Sequence, residues 1–171
     1  KKKKIFYFDL KKPNFDNLDI KFDAAIICAS ITSVKKCEKN PNITRKVNVN
    51  NTVKLLKYLS SKSIFTLFIS SNLVFDGKKP FNKVNEKTNP ISEYGKQKLL
   101  VEKFIKAKNY NNFSIIRFTK VIGENSKFIK NLKIKIMKKK RFIYNREYFI
   151  SPINISKVCK IILKVIKNKN K

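Results

Sequence analysis

Tyr94 and Lys98 stand four residues apart in PISEYGKQKLLVEKF, residues 90–104. Side chains at i and i+4 share one face of a helix. The chain has no histidine, so acid–base work near neutral pH falls to other groups. A tyrosine phenol titrates near ~10, and a neighbouring ammonium favours the phenolate and lowers that value. Ser70 and Ser71 close the apolar run SIFTLFISS, and a hydroxyl at a strand end can hydrogen-bond a ligand carbonyl. Ser71, Tyr94 and Lys98 together can therefore polarise a carbonyl and pass a proton to its oxygen. The hydride for such a reduction has to come from a cofactor. Thirty-seven lysines also make YxxxK a frequent accident, and the bland reading is two polar residues on a wet helix face.

The elements that would position these residues alternate. KKIFYFDL, ending at Asp9, reads as a strand, and KFDAAIICAS reads as a second strand buried on both faces. The spacing of Val47, Leu55, Leu56 and Leu59 predicts a helix over about 43–60. SIFTLFIS is a third buried strand, and Asp76-Gly77 marks a turn after it. Ser92 is placed to cap a helix carrying Tyr94, Lys98, Val101 and Ile105 on one face. NFSIIRF reads as a fourth strand. A basic helix follows over about 125–139, with Phe128, Leu132, Ile136 and Met137 as its stripe. The last helix, about 154–167, presents Ile155, Val158, Ile162 and Val165. Apolar strands alternating with helices predict an α/β fold with a parallel sheet covered on both faces. Ligands of such sheets sit in the loops beyond the strands' carboxyl ends.

At 171 residues the chain is the size of one domain. The basic start, KKKKIFYFDL, has too short an apolar run for a signal peptide, and no apolar run is long enough to span a bilayer. Cys28, Cys37 and Cys159 show no pairing or zinc spacing, which fits a reducing, cytoplasmic setting and predicts no metal. The net charge of +30 invites a nucleic-acid reading. Against it, arginine, the usual reader of base edges, occurs only four times, and the lysines are spread over nearly every segment.

FDAAIICASITSVKKCEKNPNITRKVNVNNTVKLL, LFISSNLVFDGKKPF, NPISEYGKQKLLVEKF and IIRFTKVIG together resemble the extended short-chain dehydrogenase/reductase family. Within it they are most similar to the dTDP-4-dehydrorhamnose reductase branch, which includes sugar-nucleotide reductases and relatives that serve as regulatory subunits. The resemblance runs from about Asp9 to Pro152. It implies a Rossmann-like parallel sheet with helices on both faces, lacking the first βαβ unit. Residues 1–171 then form a single partial NAD(P)-binding domain with the start of a substrate lobe at about 125–171. It implies a sugar-nucleotide substrate and NAD or NADP as cofactor, and leaves a homo-oligomer open. Tyr94 would donate the proton to a keto oxygen, Lys98 would lower its pKa and hold the nicotinamide ribose, and Ser71 would contact the carbonyl. Asp9 and Leu10 would lie by the adenine. Ser30, Ile31, Thr32, Asn48 and Ile69 would border the cofactor.

Three departures fall on the substrate side: Asn72 and Lys35 stand where rhamnose reductases carry Asp, and Lys120 where they carry Trp. With Ser151, which the resemblance puts near the substrate, Ser71, Asn72 and Lys120 make up the expected substrate set. The chain's only glycines are Gly77, Gly95 and Gly123, so the glycine-rich turn that lets backbone N–H groups reach a pyrophosphate is not in it. The acid that separates NAD from NADP would lie on the missing second strand; the alternative is that Asp9 is that acid.

Overall fold

FTLFISS, residues 65–71, is rich in aromatic and β-branched residues, which suit a pleated, packed surface. It forms the central strand of the sheet. The computed structural model describes residues 5–15, 18, 22–109, 111–138 and 150–169. In chain order, β1 (Ala24–Ile27) leads into α1 (Val34–Lys39), α2 (Pro41–Arg45), a π-helical turn (Lys46–Asn51) and α3 (Thr52–Ser61). Then come β2 (Phe65–Ser71), a 3-10 turn (Asn72–Val74), α4 (Glu93–Ala107) and β3 (Phe113–Phe118). β4 (Lys120–Ile122), α5 (Lys127–Met137), β5 (Pro152–Asn154) and α6 (Ile155–Lys167) complete the order.

Two compact units divide the chain, Lys1–Arg117 and Phe118–Lys171. The first is built on a sheet of order β1-β2-β3. β1 and β2 run parallel, with Ala24 opposite Phe65 and Ile27 opposite Phe68. Both faces of β2 are buried, as the α/β reading expects of a covered sheet. On one face Phe68 packs with Leu55, Leu56 and Leu59 of α3 and Val101 and Ile105 of α4. In the second unit β4 and β5 form their own parallel pair, Lys120 opposite Pro152 and Ile122 opposite Asn154. There Ile155 packs so close to Gly123 that a Cβ at that glycine would lie 3.1 Å from it.

The helices follow local chemistry. Ser33, Ser92, Ser126 and Asn154 are N-caps whose side chains accept backbone N–H groups of α1, α4, α5 and α6. The helix expected over about 43–60 runs from Pro41, a residue suited to a first turn, to Ser61, with the π turn inside it.

Three expectations are corrected. Residues 5–9 of KKIFYFDL form no strand and pair with no strand among the described residues, and Ile5 is 93% exposed. Residues 3 and 4 of that segment lie outside the described residues. β1 is not buried on both faces: Ile26 is 42% exposed while Ile27 is buried, and the strand lies at an edge of the described sheet. The stripe of α5 does not enter a core among the described residues, since Phe128, Leu132, Ile136 and Met137 are all exposed.

Candidate active site

Helix α4 is pressed onto the end of β2 by a glycine. A Cβ at Gly95 would stand 2.1 Å from the carbonyl oxygen of Leu73 in the 3-10 turn, a separation no side chain tolerates. Ser92 holds the helix start by accepting from Gly95 N–H at 3.1 Å. This close approach brings Tyr94 and Lys98, 8% and 5% exposed, to the strand end. The pair is therefore buried, and the wet-helix-face reading does not hold. Lys98 Nζ donates to the Ile69 carbonyl at 2.9 Å. It also lies over two aromatic rings, 4.7 Å from the Phe68 centroid and 5.8 Å from that of Tyr94, a favourable arrangement for a desolvated ammonium.

Burial decides how the two titrate. Desolvation pulls Lys98 down to about 8, against the opposing influence of Cys28 and then Glu102. Desolvation pushes the Tyr94 phenol up to about 12; charge on Cys37 adds to the rise, and a hydrogen bond with Ser30 opposes it. The expectation of a phenol lowered by Lys98 is thus corrected: burial, with the charge on Cys37 acting in the same sense, sets the phenol above its ordinary value, and the Ser30 hydrogen bond offsets only part of the rise.

The π turn organises the loops opposite. Wide turns of this kind break the helical repeat and often occur at functional sites. Asn48 Oδ1 accepts from Ser30 Oγ at 3.0 Å and from Ile31 N–H at 2.7 Å. Its Nδ2 donates to the Ile31 carbonyl at 3.0 Å and to Gln97 Oε1 at 2.8 Å. Gln97 Nε2 donates in turn to Thr44 Oγ1 at 2.9 Å and Glu93 Oε1 at 3.1 Å. Asn48 thus ties the loop after β1 to α4. Asn51 performs the matching task for the N-terminal segment, donating to the carbonyls of Leu10 at 2.9 Å and Lys11 at 3.2 Å. The Asp9 carboxylate accepts from Lys11 N–H at 2.9 Å, closing a local turn.

At the end of β2 the two serines differ. Ser70 Oγ donates to the buried Glu102 carboxylate at 2.6 Å. Ser71 Oγ accepts from Leu73 N–H at 3.2 Å and caps the 3-10 turn, which leaves its proton to donate elsewhere. Tyr94, Lys98, Ile69, Ser30 and Asn48 thus come together, with Ser71 on the same strand end. Thr32 and Asn72 are exposed in the same unit. Lys120 and Ser151 are exposed in the second unit, where Lys120 Nζ lies 5.8 Å from the Phe128 ring centroid.

Sequence reasoning missed Gln97, Glu102, Arg117, Asn51 and Gly95 as structural determinants of the site. A signal existed for two of them. Gln97 and Glu102 fall within the buried stripe of α4, between Tyr94, Lys98, Val101 and Ile105, where a polar residue calls for a buried partner. Among the described residues there is no cluster of His, Cys, Asp or Glu able to hold a metal, and no helix long and apolar enough to cross a membrane.

The profile of a family described as the RmlD substrate binding domain matches residues 14–171. The dTDP-4-dehydrorhamnose reductase of Sinorhizobium fredii is 31% identical over 137 residues, which is 72% of this chain and 45% of that protein. Methionine adenosyltransferase 2 subunit beta of Bos taurus is 31% identical over 97 residues, 57% of this chain and 29% of that protein. This chain thus spans less than half the length of either curated relative. A crystal structure of a dTDP-4-dehydrorhamnose reductase from Clostridium acetobutylicum superposes with TM-score 0.80 at 30% identity, covering 94% of this chain and 56% of that one. The Bacillus anthracis dTDP-4-dehydrorhamnose reductase, solved in complex with NADP, shares the fold at TM-score 0.74 and 23% identity, covering 86% of this chain and 53% of that one.

Proposed function

The chain belongs to the RmlD substrate binding domain family, and from that premise we propose that it serves the NAD(P)-dependent reduction of a keto-sugar nucleotide. The reaction is of the short-chain dehydrogenase/reductase type, in a cytoplasmic setting. The observation that carries this reading is the buried Tyr94–Lys98 pair, held against the Ile69 carbonyl at the end of β2. Tyr94, kept protonated by burial, is the proton donor to the keto oxygen. Ser71 offers its hydroxyl to that oxygen from the same strand end. Lys98 spends one of its three N–H donors on Ile69, and the others suit ribose hydroxyls. The residues present fit the nicotinamide-ribose half of a dinucleotide: Lys98, Tyr94 and the Ser30–Thr32 loop that Asn48 fixes. When bound, that cofactor supplies the hydride. Asn48 has both ends of its amide engaged within the protein, so it acts by positioning the loop. Asn72, Lys120 and Ser151 belong to the substrate side of the same proposal.

The test is oxidation of NADH or NADPH with a dTDP-4-keto sugar. Turnover is expected in the parent and is lost by about 100-fold or more in Tyr94→Phe, while cofactor binding, read by nicotinamide fluorescence, persists. Binding without turnover across a panel of sugars would favour a second reading, a non-catalytic binding or regulatory module on this fold. Its support is the similarity to a methionine adenosyltransferase subunit.

A further inference from the structure

Glu102 lies one helical turn beyond Lys98, on the same buried face of α4, and is 1% exposed. Its carboxylate is gripped from two strands. Arg117 Nη2 donates to Oε2 at 2.6 Å and Arg117 Nε to Oε1 at 3.0 Å, and Ser70 Oγ donates to Oε1 at 2.6 Å. Adjacent residues of β2 therefore hold successive turns of α4: the Ile69 carbonyl takes Lys98, and the Ser70 hydroxyl takes Glu102. Arg117 also reaches the Val84 carbonyl at 3.1 Å and packs over Phe75. A buried carboxylate costs several kcal/mol of desolvation, and packing alone would be served by a leucine.

We infer that Glu102 is a positioning residue for the Tyr94–Lys98 pair, setting the register of α4 on β2 and holding Lys98 in its ammonium form. The inference rests on the proposed role of that pair. Of the charges that oppose the desolvation of Lys98, Cys28, beyond β1, comes first and Glu102 second; Tyr94, on its own helix, faces it as a ring, and β2 presents only a carbonyl and an aromatic ring. Arg117, from β3, acts through Glu102 by neutralising part of its charge.

The test reads Lys98 itself and needs no substrate, so it stands or falls apart from turnover. The pH dependence of Lys98 acylation by an amine reagent is followed by peptide mass spectrometry in the full chain. Glu102→Gln, which keeps shape and can still accept from Ser70, lowers the Lys98 midpoint by about one unit, the low end for a lost opposite charge. Arg117→Met, which unmasks Glu102, raises it. Loosening of the fold would instead move both variants up toward the ordinary lysine value. An unchanged or higher midpoint in Glu102→Gln, with a parental circular dichroism spectrum, overturns the inference. Should Glu102→Gln not fold, a midpoint in folded Arg117→Met that stays or falls overturns it.

Discussion

Lys98 and Tyr94 share one site and titrate in opposite senses, so each leaves its own mark on stability. Lys98 falls from 10.5 to about 8 on folding. Between those values the unfolded chain holds a proton that the folded chain has released. Stability from this group therefore rises as pH climbs from about 8 to 10.5, and is lost as pH falls through about 8. Tyr94 rises from 10 to about 12. Its contribution is complete below pH 10 and is lost as pH rises through about 12. The other lysines also discharge over this range and relax repulsion, so the informative quantity is a difference between variants. In urea titrations, Lys98→Met is expected to be more stable than the parent near pH 7, by about 1–3 kcal/mol. That advantage shrinks toward pH 10.5. A variant less stable than the parent at pH 7, or an advantage independent of pH, would show that burial of the ammonium carries no net cost.

At the scale of elements, the site depends on how closely α4 approaches the strand-end turn. Gly95→Ala puts a methyl 2.1 Å from a backbone oxygen that has no rotamer by which to yield. The helix must lift, and a loss of about 1–3 kcal/mol is expected in urea unfolding; parental stability would mean the approach is looser than the geometry shows. Asn48→Ala strands the Ile31 N–H and the Gln97 amide in a buried network, and a loss of about 2–4 kcal/mol is expected. These same features mark the boundary of what was legible in the sequence. The buried run at 65–71, the cap at Ser92 and the stripe of α4 rest on local periodicity and capping, and all three could be read directly. The clamps by Asn48 and Asn51 and the ion pair of Glu102 with Arg117 join residues 15 to 49 positions apart, which local pattern does not register. IFYFD was read as a strand from its composition, but a strand exists only with a partner to pair with.

The whole molecule carries 41 basic and 11 acidic side chains, too few acids to pair most of its positive charge. Among the described residues, the ion pairs Arg45–Glu93 and Lys79–Glu86 include a well-exposed basic partner, and such pairs contribute about 0–1 kcal/mol each. The Arg117–Glu102 pair is buried instead and is screened little by salt. Self-repulsion between exposed lysines is screened strongly, with a Debye length of about 30 Å at 0.01 M falling to about 8 Å at 0.15 M. Added salt therefore removes more repulsion than attraction. The urea midpoint is expected to rise as sodium chloride goes from about 10 to about 300 mM, where screening is essentially complete over the spacing of surface charges. Binding to duplex DNA, if any is detected at low salt, is expected to vanish over the same range without sequence preference, because dispersed lysines neutralise phosphate but read no base. A midpoint that falls with salt would mean that exposed ion pairs outweigh the repulsion. Sequence-selective DNA binding that survives about 300 mM salt would require a dedicated basic surface, which the even spread of lysine along the chain does not provide.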